Sequence, residues 1–229
     1  MAHRIIEKYY VQDGKDPNKP FRPVPMWTVD PPQELLEIAV ASNYCEVWLA
    51  KHNDDGTPTG GLVGINRLTK VQLPTIASLY GAMLADVDYV IMGAGIPLQI
   101  PGVLDNLSEN LDTTFPIEVQ GTDQTYEISF SPKKFWNSSG KPWLAERTLK
   151  RPSFVPIVSS VVLAQSMLKR ANGIGPTRGI QGFVVELPTA GGHNAPPRGF
   201  RYDPVGKTHA VDLNDKGEPL YGSKDEVGE

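Results

Sequence analysis

The sequence has little cysteine, little clustered positive charge and no long apolar run. Its single cysteine, Cys45, excludes an internal disulfide framework and is typical of proteins in a reducing cytoplasm. The net charge of -4, without a basic cluster, argues against nucleic acid as the main partner. The histidines and the cysteine show no ligand spacing, so no metal site is expected.

No apolar stretch approaches the length of a membrane-spanning helix, so no membrane partner is expected. Residues 1–10 are charged and lack the apolar core of a signal peptide, which favours a cytoplasmic protein. The apolar fraction of 40% is ordinary for a soluble protein and allows a sizeable core. A chain of 229 residues can form one large domain or two small ones, and nothing in it indicates the oligomeric state.

Short apolar runs alternate with helix-like stretches along the chain, which predicts an α/β fold with a parallel sheet. Five runs are predicted as core strands: residues 45–50, 62–65, 87–92, 154–160 and 182–186. Cys45, in the first run, is expected to be a packed structural thiol. The predicted helices are a short one within residues 1–10, one with Asp30 as its N-cap and Pro31 in its first turn, and others over 74–85, 101–107 and 161–170. No helix fits between the first two strands, although parallel neighbours normally need one.

Residues 111–150 are predicted to be an insertion in this alternation. Residues 115–120 and 126–130 alternate apolar and polar residues around a Gly-Thr-Asp turn, which indicates a β-hairpin. Phe135, Trp136 and Trp143 are expected to pack the insertion. Prolines make residues 14–25 an extended connection, and residues from about 202 to 229 form a polar tail.

The stretch from Gly182 to Gly199 combines a strand pattern with a candidate ligand loop. The strand ends at Glu186, and Gly191-Gly192-His193 follows. Two glycines let the backbone pass close to a ligand, because no Cβ is in the way. A lone Gly-Gly-His is more often a surface turn, and His3, His52 and His209 are expected to be solvated.

Gly93-Ala-Gly95 also offers a glycine-rich loop after a predicted strand. A dinucleotide-binding loop needs a third glycine in register, and none follows here before Pro97 and Pro101 interrupt the helix start. The spacing therefore argues against a dinucleotide site.

Three motifs in order resemble the nitronate monooxygenase family, the former 2-nitropropane dioxygenases. They are Leu62-Val-Gly-Ile-Asn66, the Val87–Pro97 stretch with its glycine-rich turn, and Ala190-Gly191-Gly192-His193. The resemblance covers roughly residues 31–200 and implies an FMN-dependent oxidoreductase that acts on a small-molecule substrate and O2. Flavin-dependent enoyl reductases share the Gly-Gly-His turn and are the alternative.

The resemblance also implies roles for individual residues. His193 matches the family's catalytic histidine, and a histidine suits a general base for an α-proton. Asn66, Gly191 and Gly192 match flavin-contacting positions. Glu186 stands where many members have a glutamine, and a carboxylate cannot donate a hydrogen bond as an amide does.

The fold implied by the resemblance is a TIM (β/α)8 barrel of which about five strands are present. On this view residues 1–229 form a single incomplete barrel domain with a β-hairpin insertion, an internal piece of a longer enzyme. The 229-residue chain by itself is expected to be inactive and to bind FMN weakly or not at all, because the resemblance places the flavin phosphate loops outside it. The remaining alternative is a non-catalytic fragment or partner subunit that keeps the barrel face but lacks the flavin phosphate site.

Overall fold

The computed structural model describes residues 1–119, 121–171 and 178–186, together with the backbone of 201–202 and 208–209. The helices are α1 (Ala2–Tyr9), α2 (Gln33–Lys51), α3 (Thr75–Leu84), α4 (Ile100–Ser108), α5 (Pro132–Ser138) and α6 (Val161–Arg170), with a 3-10 helix at Pro142–Glu146. The strands are β1 (Gly64–Leu68), β2 (Tyr89–Gly93), β3 (Thr113–Ile117), β4 (Tyr126–Phe130), β5 (Ser153–Val158), β6 (Val184–Val185), β7 (Arg201–Tyr202) and β8 (Thr208–His209).

The chain divides into two compact units, each built from separate stretches of sequence. Unit 1 comprises Met1–Val63, Gln72–Val87 and Val103–Arg151, and unit 2 comprises Gly64–Val71, Asp88–Gly102 and Pro152–Glu229. The expectation of a single barrel domain over residues 1–229 stays a prediction.

Unit 1 is mainly helical, and its core forms where α2 and α3 cross. Every residue of α3 from Thr75 to Met83 is buried. At the crossing, Gly81 lets the backbone of α2 approach so closely that a Cβ there would lie 2.3 Å from the carbonyl oxygen of Val40. Of the apolar side chains expected to face inward on this helix, Ile76, Leu79, Tyr80 and Met83 are buried and Leu84 is half-buried.

The predicted hairpin in the insertion is confirmed as the antiparallel pair β3–β4, in which Phe115 aligns with Ile128. The Ser131 side chain caps α5 by accepting a hydrogen bond from the Lys134 N–H, with Pro132 at the first helical position. Phe135 and Trp136 are buried as expected, whereas Trp143 is 60% exposed.

Unit 2 contains a four-stranded sheet in the order β1-β2-β5-β6, in which every pair is parallel. This confirms an α/β fold with a parallel sheet. Of the five predicted strands, those after the first are present with shifted ends, β1 beginning two residues later than expected at Gly64. Helix α6 has the predicted bounds, Val161–Arg170.

The predicted strand at residues 45–50 is wrong, because these residues form the last turns of α2. Glu46, Leu49 and Ala50 are strong helix formers, and Val47 continues the buried stripe that contains Val40 seven residues earlier. Cys45 is exposed, so the expected packed thiol is also wrong.

The start of α2 also differs from the prediction. The helix begins at Gln33 with Pro32 at the N-cap position, so Asp30 is not the cap. The backbone before α2 is extended at its two consecutive prolines, because Pro32 excludes the helical conformation at Pro31.

Candidate active-site edge of the parallel sheet

The parallel strands of unit 2 end at a common carboxyl edge, where α/β proteins place their ligands. Aligned residues of neighbouring parallel strands point to the same face of the sheet, and successive residues alternate between faces. The buried positions on one face, the covered face, are Val90, Met92, Phe154, Pro156 and Val158. The positions on the other face, the open face, are half-buried or exposed apart from the buried Gly93, and they include Asn66, Ile91, Val155, Ile157 and Val184.

Asn66 lies on the open face in the middle of β1. Its Cα partner across the ladder is Ile91, which in turn aligns with Val155. The Asn66 side chain is exposed, so its amide can present both a donor and an acceptor to a ligand on this face.

The glycine-rich turn after β2 joins the end of β1. Both the backbone N–H and the hydroxyl of Thr69 donate to the Gly93 carbonyl, each at 2.8 Å. Ala94 and Gly95 have φ values of +54° and +147°. A Cβ on Gly95 would lie 2.9 Å from the Cβ of Thr69, so this position requires glycine.

Gly93 leaves room for the Ile157 side chain at the carboxyl end of β2. A Cβ there would lie 2.8 Å from Cδ1 of Ile157 on the neighbouring strand. Gly93 is itself buried, so the Ile157 side chain forms the open face at this point.

Glu186 directly follows β6, and its N–H donates to the Val158 carbonyl at 2.9 Å. The alternation from Val184 places Glu186 on the open face, where it is half-buried. The sheet therefore brings Asn66 and Glu186 onto one face but near opposite edges. Three strand spacings separate them across the sheet, roughly 14 Å, and an offset of four residues adds roughly 13 Å along the strands. They can therefore border one extended ligand but cannot meet on one atom.

Gly191, Gly192 and His193 lie outside the described residues, so their predicted convergence with Asn66 stays a prediction. Arg67 is a residue that the sequence reasoning missed. Burial lowers the pKa of its guanidinium from the ordinary range. The sequence offers one indication for Arg67: it directly follows Asn66 in the strand, so its side chain is on the covered face.

The remaining histidines are only partly as expected. His3 is exposed, whereas His52 is half-buried and stacks on Trp48 with ring centroids 4.2 Å apart. The Nδ1 atom of His52 also lies 2.7 Å from the Trp48 carbonyl oxygen. The expectation that His52 is solvated is therefore wrong, and the contact makes it a packed side chain at the end of α2.

Within the described part of the chain, no group of three or more His, Cys, Asp and Glu side chains is arranged to hold a metal ion. No helix in that part is both long enough and apolar enough to cross a membrane.

Comparison of the chain with protein-family models, curated proteins and solved structures finds no match.

Proposed function

We propose that this chain is part of an FMN-dependent oxidoreductase that oxidises alkyl nitronates with O2, with its parallel strands forming part of a TIM barrel. The observation that carries the proposal is the parallel sheet, on whose open face Asn66 and Glu186 lie with the Gly93–Gly95 turn at the carboxyl edge. Asn66 and Glu186 are positions where the family resemblance puts flavin contacts. Ligands of parallel α/β folds bind at this edge of the sheet.

The described residues fit the ring of a flavin. The Asn66 amide is exposed and can both donate to and accept from the polar edge of the ring. Ile91 and Ile157 lie on the same face as half-buried aliphatic side chains, against which a flat ring can pack. When bound, FMN would supply the electron exchange between the nitronate and O2.

His193 is the proposed general base of the reaction. A neutral nitroalkane must lose its α-proton before oxidation, and an imidazole nitrogen with a pKa near neutrality accepts such a proton at physiological pH. A preformed nitronate has already lost this proton, so its oxidation does not need the base.

Glu186 is proposed to border the flavin as an acceptor. An ionised carboxylate accepts hydrogen bonds and donates none, so it can bind an N–H group of the ring but cannot replace a glutamine that donates.

The test compares a neutral nitroalkane with its preformed nitronate, using the purified enzyme of which this chain is proposed to be part, supplied with FMN. His193→Ala should lower kcat/KM for the nitroalkane by roughly 100-fold or more, the usual contribution of a general base. Turnover of the nitronate should be nearly unchanged, and His3→Ala, which alters an exposed histidine, should affect neither substrate.

Two other outcomes decide against the proposal. Equal losses on both substrates would show that His193 is not the base. Turnover of an enoyl thioester with a reduced nicotinamide, without nitronate oxidation by the unmodified protein, would assign the chain to enoyl reduction instead.

A further inference from the structure

Residues 20–27 of unit 1, the proline segment, belong to no helix or sheet and are exposed apart from the half-buried Pro25 and Trp27. A turn precedes it, in which the Lys19 N–H donates to the Asp16 carbonyl at 3.0 Å. A second turn follows, in which the Thr28 hydroxyl donates to the Asp30 carbonyl at 2.7 Å. The segment is therefore bounded at both ends and held as a separate surface feature.

Three prolines restrict the proline segment to an extended conformation. Pro20, Pro23 and Pro25 have φ fixed near the polyproline II value, and Arg22 and Val24 each precede a proline, which excludes the helical region. Phe21 is the only residue from 20 to 25 that these restraints leave free. The polyproline II form is consequently preorganised, and little conformational entropy is lost when a partner binds it.

A polyproline II helix has three residues per turn, so its side chains form three edges. With this period Pro20, Pro23 and Met26 share one edge, and Phe21, Val24 and Trp27 share the next. Trp27 is half-buried, and the other side chains of these two edges are exposed, with Met26 at 83% and Phe21 at 73% exposure. Large apolar side chains exposed together in this way mark interaction sites.

The third edge faces the body of unit 1. It carries Arg22 and Pro25, and Pro25 is half-buried. The Arg22 guanidinium donates to the Lys8 carbonyl at the end of α1, at 2.8 Å. One edge is thus anchored and the two apolar edges are presented outwards.

Two lysine side chains lie next to the proline segment. The Nζ atom of Lys15 lies 5.1 Å from the centre of the Phe21 ring. Lys19 is exposed at the start of the segment, and its Nζ atom lies 3.5 Å from Oδ2 of Asp16, an exposed ion pair for which a partner's carboxylate would compete. Carboxylates on a partner would complement these two cations.

We propose that the proline segment is a docking site for a protein module that recognises polyproline II helices, with a groove lined by aromatic side chains and rimmed by carboxylates. Pro20 and Pro23 form the P-x-x-P spacing that such grooves accept, and Phe21 and Met26 extend the apolar contact. The acidic rim pairs with Lys15 and Lys19. This docking site is independent of the reaction proposed for the sheet.

The test uses a panel of ¹⁵N-labelled SH3 domains as probes, each titrated with the purified 229-residue chain. A domain with an acidic rim should show saturable shifts confined to its aromatic groove. Pro20→Ala combined with Pro23→Ala should weaken binding on the order of tenfold, equal to about 1.4 kcal/mol. Pro31→Ala, outside the segment, should leave the affinity unchanged.

A second variant separates loss of contact from loss of fold. Phe21→Asp combined with Met26→Asp changes two solvent-exposed side chains, so the circular dichroism spectrum should be retained while binding is lost. If no domain in the panel responds near millimolar concentration, or if the proline variant binds like the unmodified chain, the proposal is overturned. Self-association in sedimentation equilibrium that Phe21→Asp abolishes would assign the segment to a second copy of this chain and also overturn it.

Discussion

At the scale of single residues, Gly81 controls how closely α3 approaches α2. An added Cβ would lie 2.3 Å from the carbonyl oxygen and 2.9 Å from the Cα of Val40, and backbone atoms cannot rotate away. Gly81→Ala should therefore lower the free energy of unfolding by roughly 1–3 kcal/mol, the usual cost of overpacking. Urea unfolding followed by tryptophan fluorescence measures this change.

Gly102 provides the matched control because it is also a glycine within a helix, α4, and a Cβ there meets no atom within 4 Å. Gly102→Ala should leave stability unchanged or raise it by up to about 1 kcal/mol through helix propensity. Equal destabilisation by both substitutions would contradict the tight crossing at Gly81.

Tyr80 joins a buried aromatic cluster to a hydrogen-bonded chain. Its hydroxyl accepts from Nε1 of Trp136 at 2.8 Å and donates to Oδ1 of Asn110 at 2.7 Å. The Tyr80 ring lies 5.1 Å from that of Phe130, and the residue is fully buried. Burial raises the pKa of Tyr80 from about 10 to about 12, because a phenolate would lose its hydration.

This pKa shift predicts a loss of stability in alkali. The pKa is higher in the folded state, so the contribution of Tyr80 is complete below pH 10 and is lost as the pH rises towards 12. The loss should be on the order of 2 kcal/mol. In Tyr80→Phe it should be absent, while Tyr10→Phe, which alters an exposed phenol, should retain it. Urea unfolding between pH 10 and 12 measures this loss of stability. If Tyr80→Phe lost as much stability as the unmodified protein, Tyr80 would not be its cause.

The part of the candidate site on described residues follows partly from sequence. Period-two alternation along a strand predicts that Asn66 shares a face with Leu68, and the same rule applies to Val184 and Glu186. The position of β1 relative to β6 in the sheet cannot be predicted from the sequence of either strand alone. It depends on β2 and β5 lying between them, and this order is a property of the folded sheet.

At the scale of elements, α2 shows why an apolar run can be misread. Apolar residues lie on both sides of its second half, with Val47 buried and Leu49 66% exposed, so no one-sided helical stripe is visible. Short apolar runs do not distinguish strand from helix by periodicity. The missing connection between the first two predicted strands was the useful signal, because parallel strands need a crossover and α2 occupies the place of the first strand.

Helix α1 is held against α2 mainly through charged side chains, since none of its residues is buried. Nη2 of Arg4 donates to both oxygens of Glu37, at 2.8 and 2.7 Å. Glu37 is buried and also accepts from Gln33 and Ser139. Arg4→Ala leaves this carboxylate with neutral donors only.

Arg4→Ala should cost roughly 1–2 kcal/mol, between the values for exposed and buried ion pairs. The amides of α1 should lose protection in hydrogen exchange, while those of α3 keep theirs. Lys19→Ala removes an exposed ion pair with Asp16 and serves as the control, with no change at α1. Retained protection in Arg4→Ala would show that α1 is held by other contacts.

At the scale of the whole molecule, the sheet of unit 2 has one covered face and one open face. All-parallel sheets are normally covered on both faces, so the exposed apolar side chains of the open face are unusual for this class. A barrel covers its inner face by closing the sheet on itself, which is the arrangement that the family resemblance implies. Sequence patterns predicted the strands and helices, but they do not determine how the open face is covered.

The two units are interleaved along the chain, which predicts that they unfold together. The sequence passes from one unit to the other five times, after Val63, Val71, Val87, Gly102 and Arg151. The passage after Gly102 lies within α4, so a single helix contributes residues to both units. Unfolding of either unit would therefore disrupt this helix, and several segments of the other unit would lose the folded structure at their ends.

A single cooperative transition in urea should therefore be observed with probes in both units. All four tryptophans, at 27, 48, 136 and 143, belong to unit 1, so their fluorescence follows that unit alone. Hydrogen exchange of peptides from β2 and β5 follows unit 2. The two probes should give the same midpoint, and Gly81→Ala in unit 1 should shift both by the same amount. Two separated midpoints, or a shift confined to the tryptophan signal, would show that unit 2 keeps its structure without unit 1.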